Sequence, residues 1–478
     1  MNERRDLAAL FGQSGIYAAS DLLRSAVNFL LLPLITAALS TTEYGTLSLA
    51  LTFAALLEVV FSAGLRGAVG RLYFDYEDLR SFLGTLALFL GMWSVVLGGG
   101  LLGLGWLFWP RGGLLPFSPY ATLAVLITCA ANLSYSLLLP LFYAQGQART
   151  YAAFSLGSFT LATGGTLLLV VGLDQGATGA LVARLIAAVV MLVPALWLVA
   201  RRTTFVLHKP MLRAALRFGL PLVPHLLATW ALNYLDRFLL GQLVTVEQVG
   251  IFTVGYQFGM VVAVIIAALN NAWTPWFFRV HQSEQVARIP AFTTYFVLLT
   301  VALGLGATLL ARPAVSIMAA SDFRRAWLVV PLIAVGYVLN GLALRAQDVL
   351  LLHKRTAAIP LITLGAVITN VVTDLLLIPH WGILGAGYGT VCGYAARFVL
   401  TVLYVRQIGA RLPFEWRRSA GAIALAGLIA GVGLQTGTGS DWLDVSLRLL
   451  IFAAYPLGAW LLVVRRSERV RLRASLRG

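Results

Sequence analysis

Long apolar runs separated by short polar gaps make up almost the whole of this chain. Each run is long enough to cross about 30 Å of hydrocarbon as a helix, and about fourteen of them follow one another. The predicted spans are 12–38, 44–68, 82–108, 120–143, 151–173, 177–200, 214–240, 247–272, 291–311, 326–351, 357–379, 383–405, 418–436 and 445–464. This pattern predicts an all-α integral membrane protein.

The cations sort the gaps into two alternating sets. One set holds Arg4 and Arg5, Arg71 and Arg80, Arg149, Arg201 to Arg213, Arg279 and Arg288, Lys354 and Arg355, Arg411 to Arg418, and the tail Arg465 to Arg477. The other holds Glu43, Asp174, Glu247, His380, Asp441 and Asp444, with Arg111, Arg312, Arg324 and Arg325 as exceptions. Cytoplasmic loops carry the Lys/Arg excess, so both termini are expected in the cytoplasm of a bacterial-type inner membrane, with an even number of helices. A miscounted helix would throw the two sets out of phase from that point on, and they stay in phase to the end.

Composition agrees, at 59% hydrophobic and 11% charged residues with a mean hydropathy of +0.86. The net charge of +16 is spread over short loops and follows from orientation in a bilayer with anionic headgroups, so nucleic acid is excluded as a partner. Cys129 and Cys392 both fall within predicted helices and define neither a disulfide framework nor a metal cluster. The first helix is too long for a cleavable signal, and no small-residue cleavage site follows it.

Short gaps bear on function as well. A membrane glycosyltransferase, polymerase or ligase needs an extramembrane loop or domain to hold a sugar donor and acceptor, and the longest gaps, such as 109–119 and 201–213, are too short for one. There is no P-loop, HExxH or nucleotide fingerprint. The chemistry is therefore expected among the helices, with no catalytic residues, no cofactor and no ATP hydrolysis of its own.

The sequence also repeats at an offset of about 206 residues. Gly176-Ala177-Thr178-Gly179-Ala180 matches Gly382-Ile383-Leu384-Gly385-Ala386, and Gln147-Ala148-Arg149-Thr150 matches His353-Lys354-Arg355-Thr356. Phe11-Gly12 recurs as Phe218-Gly219, and the turn Thr41 to Gly45 is echoed by Thr245 to Gly250 with one insertion. These matches predict two six-helix lobes, 1–200 and 201–410, followed by two extra helices and a basic tail in 411–478. An even helix number per repeat gives both lobes one orientation, about a pseudo-twofold axis along the membrane normal. Such lobes are expected to enclose a central cleft and to give alternating access by rocking.

Polar residues inside the spans are candidate sites, because a charge in a membrane costs several kcal/mol unless it faces protein or water. Ser14, Tyr17, Asp21, Arg24 and Asn28 recur at steps of three and four and form one stripe on the first helix. Glu58, Ser62 and Arg66 form another on the second, and His225, Thr229, Asn233 and the Asp236–Arg237 pair a third on the seventh. Two walls of a hydrated cavity would look like this, and so would satisfied helix–helix contacts.

The stretch Gly64 to Asp78 (GLRGAVGRLYFDYED) resembles the end of the second helix in Wzx-type polysaccharide flippases, where a Gly-rich helix end runs into an Arg, aromatics and acids. Leu235 to Gly241 (LDRFLLG), followed by Val249-Gly250-Ile251-Phe252, looks like that family's seventh and eighth helices. The family belongs to the wider MOP (multidrug/oligosaccharidyl-lipid/polysaccharide) exporter superfamily, which includes lipid II flippases and MATE-type drug exporters. The resemblance implies an undecaprenyl-pyrophosphate-linked oligosaccharide as cargo, with membrane lipids and the polysaccharide polymerase machinery as further partners.

Such a cargo calls for fixed cations near its path, and the planar fork of Arg suits a pyrophosphate. Arg24, Arg66 and Arg237 are the substrate-binding candidates, with Arg71 at the cytoplasmic mouth. The plain alternatives are orientation for Arg71 and an ion pair with Asp236 for Arg237. Asn28, Asn233, Asn270 and Asn340 are candidate partners for sugar hydroxyls, together with Asn271, Gln347 and Tyr256. Trp273 and Trp276 offer stacking faces or simply belong to the aromatic belt at a helix end. Arg345 and Asp348 read as an internal salt bridge, while Arg184 and Arg397 either line the cleft or snorkel. Glu58 is the first choice for proton or sodium coupling, with Asp21 and Asp374 (Asn370 one turn before it) as alternatives. Proton coupling, sodium coupling and no coupling all stay open. The rival functions are a MATE-like exporter of small organic cations, in which acids should dominate the cavity, and a membrane glycosyltransferase or polymerase.

Overall fold

The computed structural model describes residues 3–108, 118–282, 285–436 and 441–469. Arg111 and tail residues 470–478 lie outside the described residues, as do the side chains of Arg4, Arg5, Phe11, Ser14 and Asp441. Among the described residues, thirteen helices are long and apolar enough to cross a membrane, or fourteen if 15–30 and Leu32–Ala38, bent by 40°, form one broken span. The protein is an all-α integral membrane protein.

The bend separates α1 (Glu3–Leu30) from α2 (Leu32–Ala38). Pro33 stands in the first turn of α2, where its missing N–H does no harm, whereas in the middle of one straight helix it would break the ladder. Helix α3 (Thr41–Ser62) starts on a capping box in which Ser40 Oγ accepts from the Glu43 N–H and the Glu43 carboxylate accepts from the Ser40 N–H. Both orphan donors are satisfied at once.

The predicted span 44–68 is broken in the structure. Ala63 (φ 46°) and Gly64 (φ 71°) are left-handed and divide α3 from α4 (Leu65–Leu72). The seventh span is broken too, into α9 (Lys209–Gly219), a short 3₁₀ turn, and α10 (Val223–Leu243). Pro221 and Pro224 remove two backbone donors there. The two breaks meet: a Cβ on Gly64 would lie 2.1 Å from the Gly219 carbonyl oxygen. Only a glycine permits that crossing.

The helices pack into two compact units, Met1–Gly241 and Gln242–Gly478. In the first, α5 (Leu79–Phe108), α6 (Pro119–Ala144), α7 (Ala148–Thr166) and α8 (Gly176–Arg202) join the helices above. Helix α6 packs on α3 and α8, α7 on α1 and α8, and α9 on α4 and α5. Phe82, Phe142, Leu138 and Leu65 lie in the core of this unit, and Trp230 of α10 donates to the Thr52 carbonyl of α3.

The second unit holds α11 (Val246–His281), α12 (Ile289–Met318), α13 (Val330–Leu352), α14 (Ala358–Trp381), α15 (Ile383–Gln407), α16 (Trp416–Gln435) and α17 (Asp441–Gly458). Helix α15 packs on α14 and α13, and α12 carries both α16 and α17. Helix α11 runs well past the predicted end at residue 272, because Trp273, Trp276 and Phe277 continue its packed face. Trp273 is therefore buried inside the helix and does not mark its end.

Two junctions paired by the sequence repeat are built alike. Gly176 and Gly382 open α8 and α15 with φ of 57° and 53°. A Cβ would meet the Glu43 carboxylate at Gly176 and the Gln248 amide at Gly382, each at 2.2 Å. Gln248 also accepts the Ile383 N–H. Glu43 and Gln248 occupy matching places in the two echoed turns.

Candidate functional site

A cavity of about 640 Å³ in the first unit is lined by Glu58, Arg66, Gly70, Phe74, Leu139, Pro140, Tyr143, Ala144 and Tyr151. Four elements build it: α3 and α4 on either side of their left-handed break, the end of α6, and the start of α7. The break aims the lining. It turns the chain between Glu58 and Arg66, so both side chains reach one space from two successive helices.

Arg66 Nη2 lies 3.5 Å from a Glu58 carboxylate oxygen, with side chains 41% and 36% exposed. A pair so exposed contributes about 0–1 kcal/mol and yields readily to a competing anion. Arg66 Nε is buried without a hydrogen-bond partner, so the fork is not saturated by protein.

Phe74, Tyr143 and Tyr151 give the wall its aromatic faces. Tyr17 of α1 packs on Tyr143 (centroids 4.8 Å) and edge-on to Tyr151 (4.9 Å). Its hydroxyl donates a long hydrogen bond to the Phe142 carbonyl. Phe74 and Tyr143 are largely exposed. Two turns beyond Tyr17 on the same stripe, Arg24 donates to Ser155 Oγ at 2.9 Å and pairs with Asp21 at 3.3 Å. Arg24 and Asp21 are both substantially exposed, and Asn28 further along is exposed as well. Of the predicted residues, Glu58 and Arg66 line this cavity, while Arg24 and Asp21 pair with each other further along α1.

Others lie elsewhere. Arg71 pairs with Asp75 at 2.8 Å within its own turn and stays exposed. Arg237 is 5% exposed and donates to Asp236 and to the Asn233 carbonyl. The Asn233 amide donates to the Thr229 carbonyl. This third stripe is internally bonded.

In the second unit, Arg345 is fully buried. It pairs with Asp348 at 3.2 Å, donates to Asn270, and stacks between Trp273 and Phe296. Trp273 Nε1 donates at 3.0 Å to the same Asp348 oxygen that Arg345 faces. Arg397 holds the amide oxygens of Asn340 (2.6 Å) and Gln347 (3.0 Å), so it lies against α13. Asp374 and Asn370 are buried where α14 meets α15, and a Cβ on Gly389 would run into the Asp374 carboxylate. The Tyr256 and Tyr337 hydroxyls share a hydrogen bond of 2.7 Å. Among the described residues, no three His, Cys, Asp or Glu side chains gather to hold a metal ion.

Sequence reasoning missed Tyr143, Tyr151, Phe74 and Ser155. The two tyrosines flank the short turn between α6 and α7, where they read as ordinary interfacial aromatics. Only the packing of α7 on α1 reveals their shared wall.

Comparison with known proteins adds three findings. The sequence pattern of the polysaccharide biosynthesis protein family matches residues 12–281. The Lsg locus putative protein 1 of Haemophilus influenzae is 28% identical over 287 residues, covering 58% of this chain and 68% of that protein. The inward closed conformation of the lipid II flippase MurJ superposes with a TM-score of 0.71 at 13% identity, over 93% of this chain and 98% of that one. An inward-facing multidrug resistance MATE transporter of the MOP superfamily superposes at 0.56 and 16% identity, over 79% of this chain and 93% of that one.

Proposed function

The chain belongs to the polysaccharide biosynthesis protein family, and from that premise we propose that it is a Wzx-type flippase. It carries an undecaprenyl-pyrophosphate-linked oligosaccharide from the cytoplasmic to the outer leaflet of the inner membrane by alternating access, for surface polysaccharide biosynthesis. The moving parts in this reading are the lobes 1–200 and 201–410, with 411–478 as an addition and both termini cytoplasmic. The polymerase that consumes the flipped unit is its natural partner.

The observation that carries this reading is the cavity wall that joins a weakly held Arg66 to the rings of Phe74, Tyr143 and Tyr151. A pyrophosphate offers the guanidinium fork two acceptor oxygens in place of one Glu58 oxygen. The sugars meet aromatic faces, which suit their apolar ring surfaces. Arg24 stands along α1 to receive the second charge, released from Asp21. The lipid tail stays in the bilayer. Displacement of Glu58 from Arg66 leaves a free carboxylate, and that exchange is where a proton or sodium ion would couple to headgroup binding; Asp21 and Asp374 are the alternative carboxylates in this reading.

The presence of Glu58 in the same cavity favours one rival, a MATE-like exporter of organic cations. The deciding experiment reconstitutes the protein in liposomes with a fluorescent undecaprenyl-pyrophosphate oligosaccharide and follows the headgroup to the opposite leaflet. Crossing that is faster than in empty liposomes, and lost in Arg24→Ala and Arg66→Ala, supports the flippase. Absence of crossing under imposed proton and sodium gradients rejects it and turns the question to cation efflux.

A further inference from the structure

A second cavity, of about 680 Å³, lies in the second unit where α16 begins and α17 ends, lined by Glu415, Trp416, Arg417, Arg418, Leu462, Val463, Val464, Arg465 and Arg469. It shares no residue with the wall described above. Helix α17 runs on into a π-turn, Ala459–Val463, whose wide winding leaves carbonyls facing the cavity floor. Arg418 Nε donates to the Val463 carbonyl, and Arg469 donates to the carbonyls of Val464 and Leu461. Two guanidinium groups therefore cap this helix end, where cations are favoured.

The acids are consumed in the same place. Glu468 accepts from Arg418 at 2.6 Å and from the Arg465 N–H. Glu415 accepts from Arg418 and, at 2.7 Å, from Arg465. Four arginines stand against these two glutamates, so the cavity keeps a positive excess. Arg417 and Arg465 are the exposed members. Trp416 is 43% exposed at the rim, beside the largely bare Leu461 and Leu462.

We propose that this cavity binds the headgroup of an anionic phospholipid. A phosphate diester supplies a negative charge to Arg417 and a second anionic partner to the exposed Arg465, which otherwise has only Glu415, through charge-assisted hydrogen bonds. The exposed leucines continue from the cavity onto the apolar flank of α17, where an acyl chain lies without leaving the hydrocarbon, and Trp416 marks the interfacial depth. That continuity assigns the phosphate to a lipid and not to a soluble anion.

The test is thermal unfolding of the purified protein in micelles of a neutral detergent, titrated with phosphatidylglycerol, with phosphatidylcholine, or with inorganic phosphate. Phosphatidylglycerol alone should raise the midpoint of the unaltered protein. Arg417→Gln/Arg465→Gln should lose that rise, and Arg417→Gln alone, which leaves the glutamate network intact, should retain part of it. Native mass spectrometry should find phosphatidylglycerol retained on the unaltered protein and depleted on the double variant. A rise of the same size in the double variant, or an equal rise with phosphatidylcholine, overturns the proposal. An equal rise with inorganic phosphate overturns the lipid assignment.

Discussion

Glu58–Arg66 in the first unit and Arg345–Asp348 in the second are the same chemical pair in two settings. They lie 3.5 and 3.2 Å apart, yet the first is 36–41% exposed and the second 0–6%. Arg345 is enclosed by Asp348, Asn270 and two aromatic faces, and although its Nε, like that of Arg66, has no hydrogen-bond partner, it is fully buried. Around Arg66 there is a cavity. An ion pair in a membrane span is thus a site or a girder according to what surrounds it, and distance alone does not tell which.

The sharpest way to break this comparison is to unpair the buried member. Arg345→Met should leave Asp348 an uncompensated buried charge and cost about 3–5 kcal/mol, read as a lower thermal midpoint and poor recovery from the membrane. Arg345→Met/Asp348→Leu should regain most of that loss, which a role in ligand binding would not explain. Arg66→Ala should do the reverse. Losing charge-assisted hydrogen bonds worth about 1.5–3 kcal/mol predicts roughly ten- to hundredfold slower headgroup crossing, with stability changed by less than about 1 kcal/mol. Arg66→Lys should recover only part of the rate, since a point charge replaces a fork.

The two glycine junctions supply the control, because there the units are built alike. Gly176→Ala and Gly382→Ala each place a Cβ at positive φ and within 2.2 Å of a side chain, and should each cost at least about 1–3 kcal/mol in the same unfolding assay. A large difference between them would show that Glu43 and Gln248 do more than fill a matching corner.

Between the extremes lies Glu468, half hidden in the arginine network. Burial pushes its carboxyl up, but hydrogen bonds from Arg418 and the Arg465 N–H outweigh this and hold it below the usual carboxylate range. With the folded value depressed, its stabilisation is full above the unfolded carboxylate value and fades as pH falls through the folded one. Glu468→Gln should remove that acid-side slope at a cost of about 1 kcal/mol or less.

Much of the fold was legible because a bilayer imposes one length and one polarity on every span. The matching junctions were legible too, since Gly176 and Gly382 answer a backbone demand that no other residue meets cheaply. The breaks at Ala63–Gly64 and around Pro221 escaped notice, because an apolar run looks the same whether its helix is straight or broken. The stripe rule singled out Arg24, Glu58, Arg66 and Arg237 alike, whereas Glu58 and Arg66 line a cavity and Arg237 is buried and bonded to its own helix. Periodicity places a charge on a face but says nothing of whether that face meets a cavity or a neighbouring helix. Tyr143 and Tyr151 were illegible for the converse reason, because their wall exists only once α7 is laid on α1.

The crossing of Gly64 on Gly219 has a consequence for how the chain is made. About 150 residues separate the two glycines, so at ordinary synthesis rates the ribosome needs roughly 8–30 s to pass from one to the other. For that interval the broken α3–α4 helix sits in the translocon's lipid surroundings with its kink already set by its own left-handed residues and its partner still unwritten. Backbone carbonyls, not side chains, close the joint when α9 arrives. Closing of this joint in the first unit is therefore timed by translation itself, and a truncated nascent chain ending before Gly219 should remain protease-sensitive at Gly64.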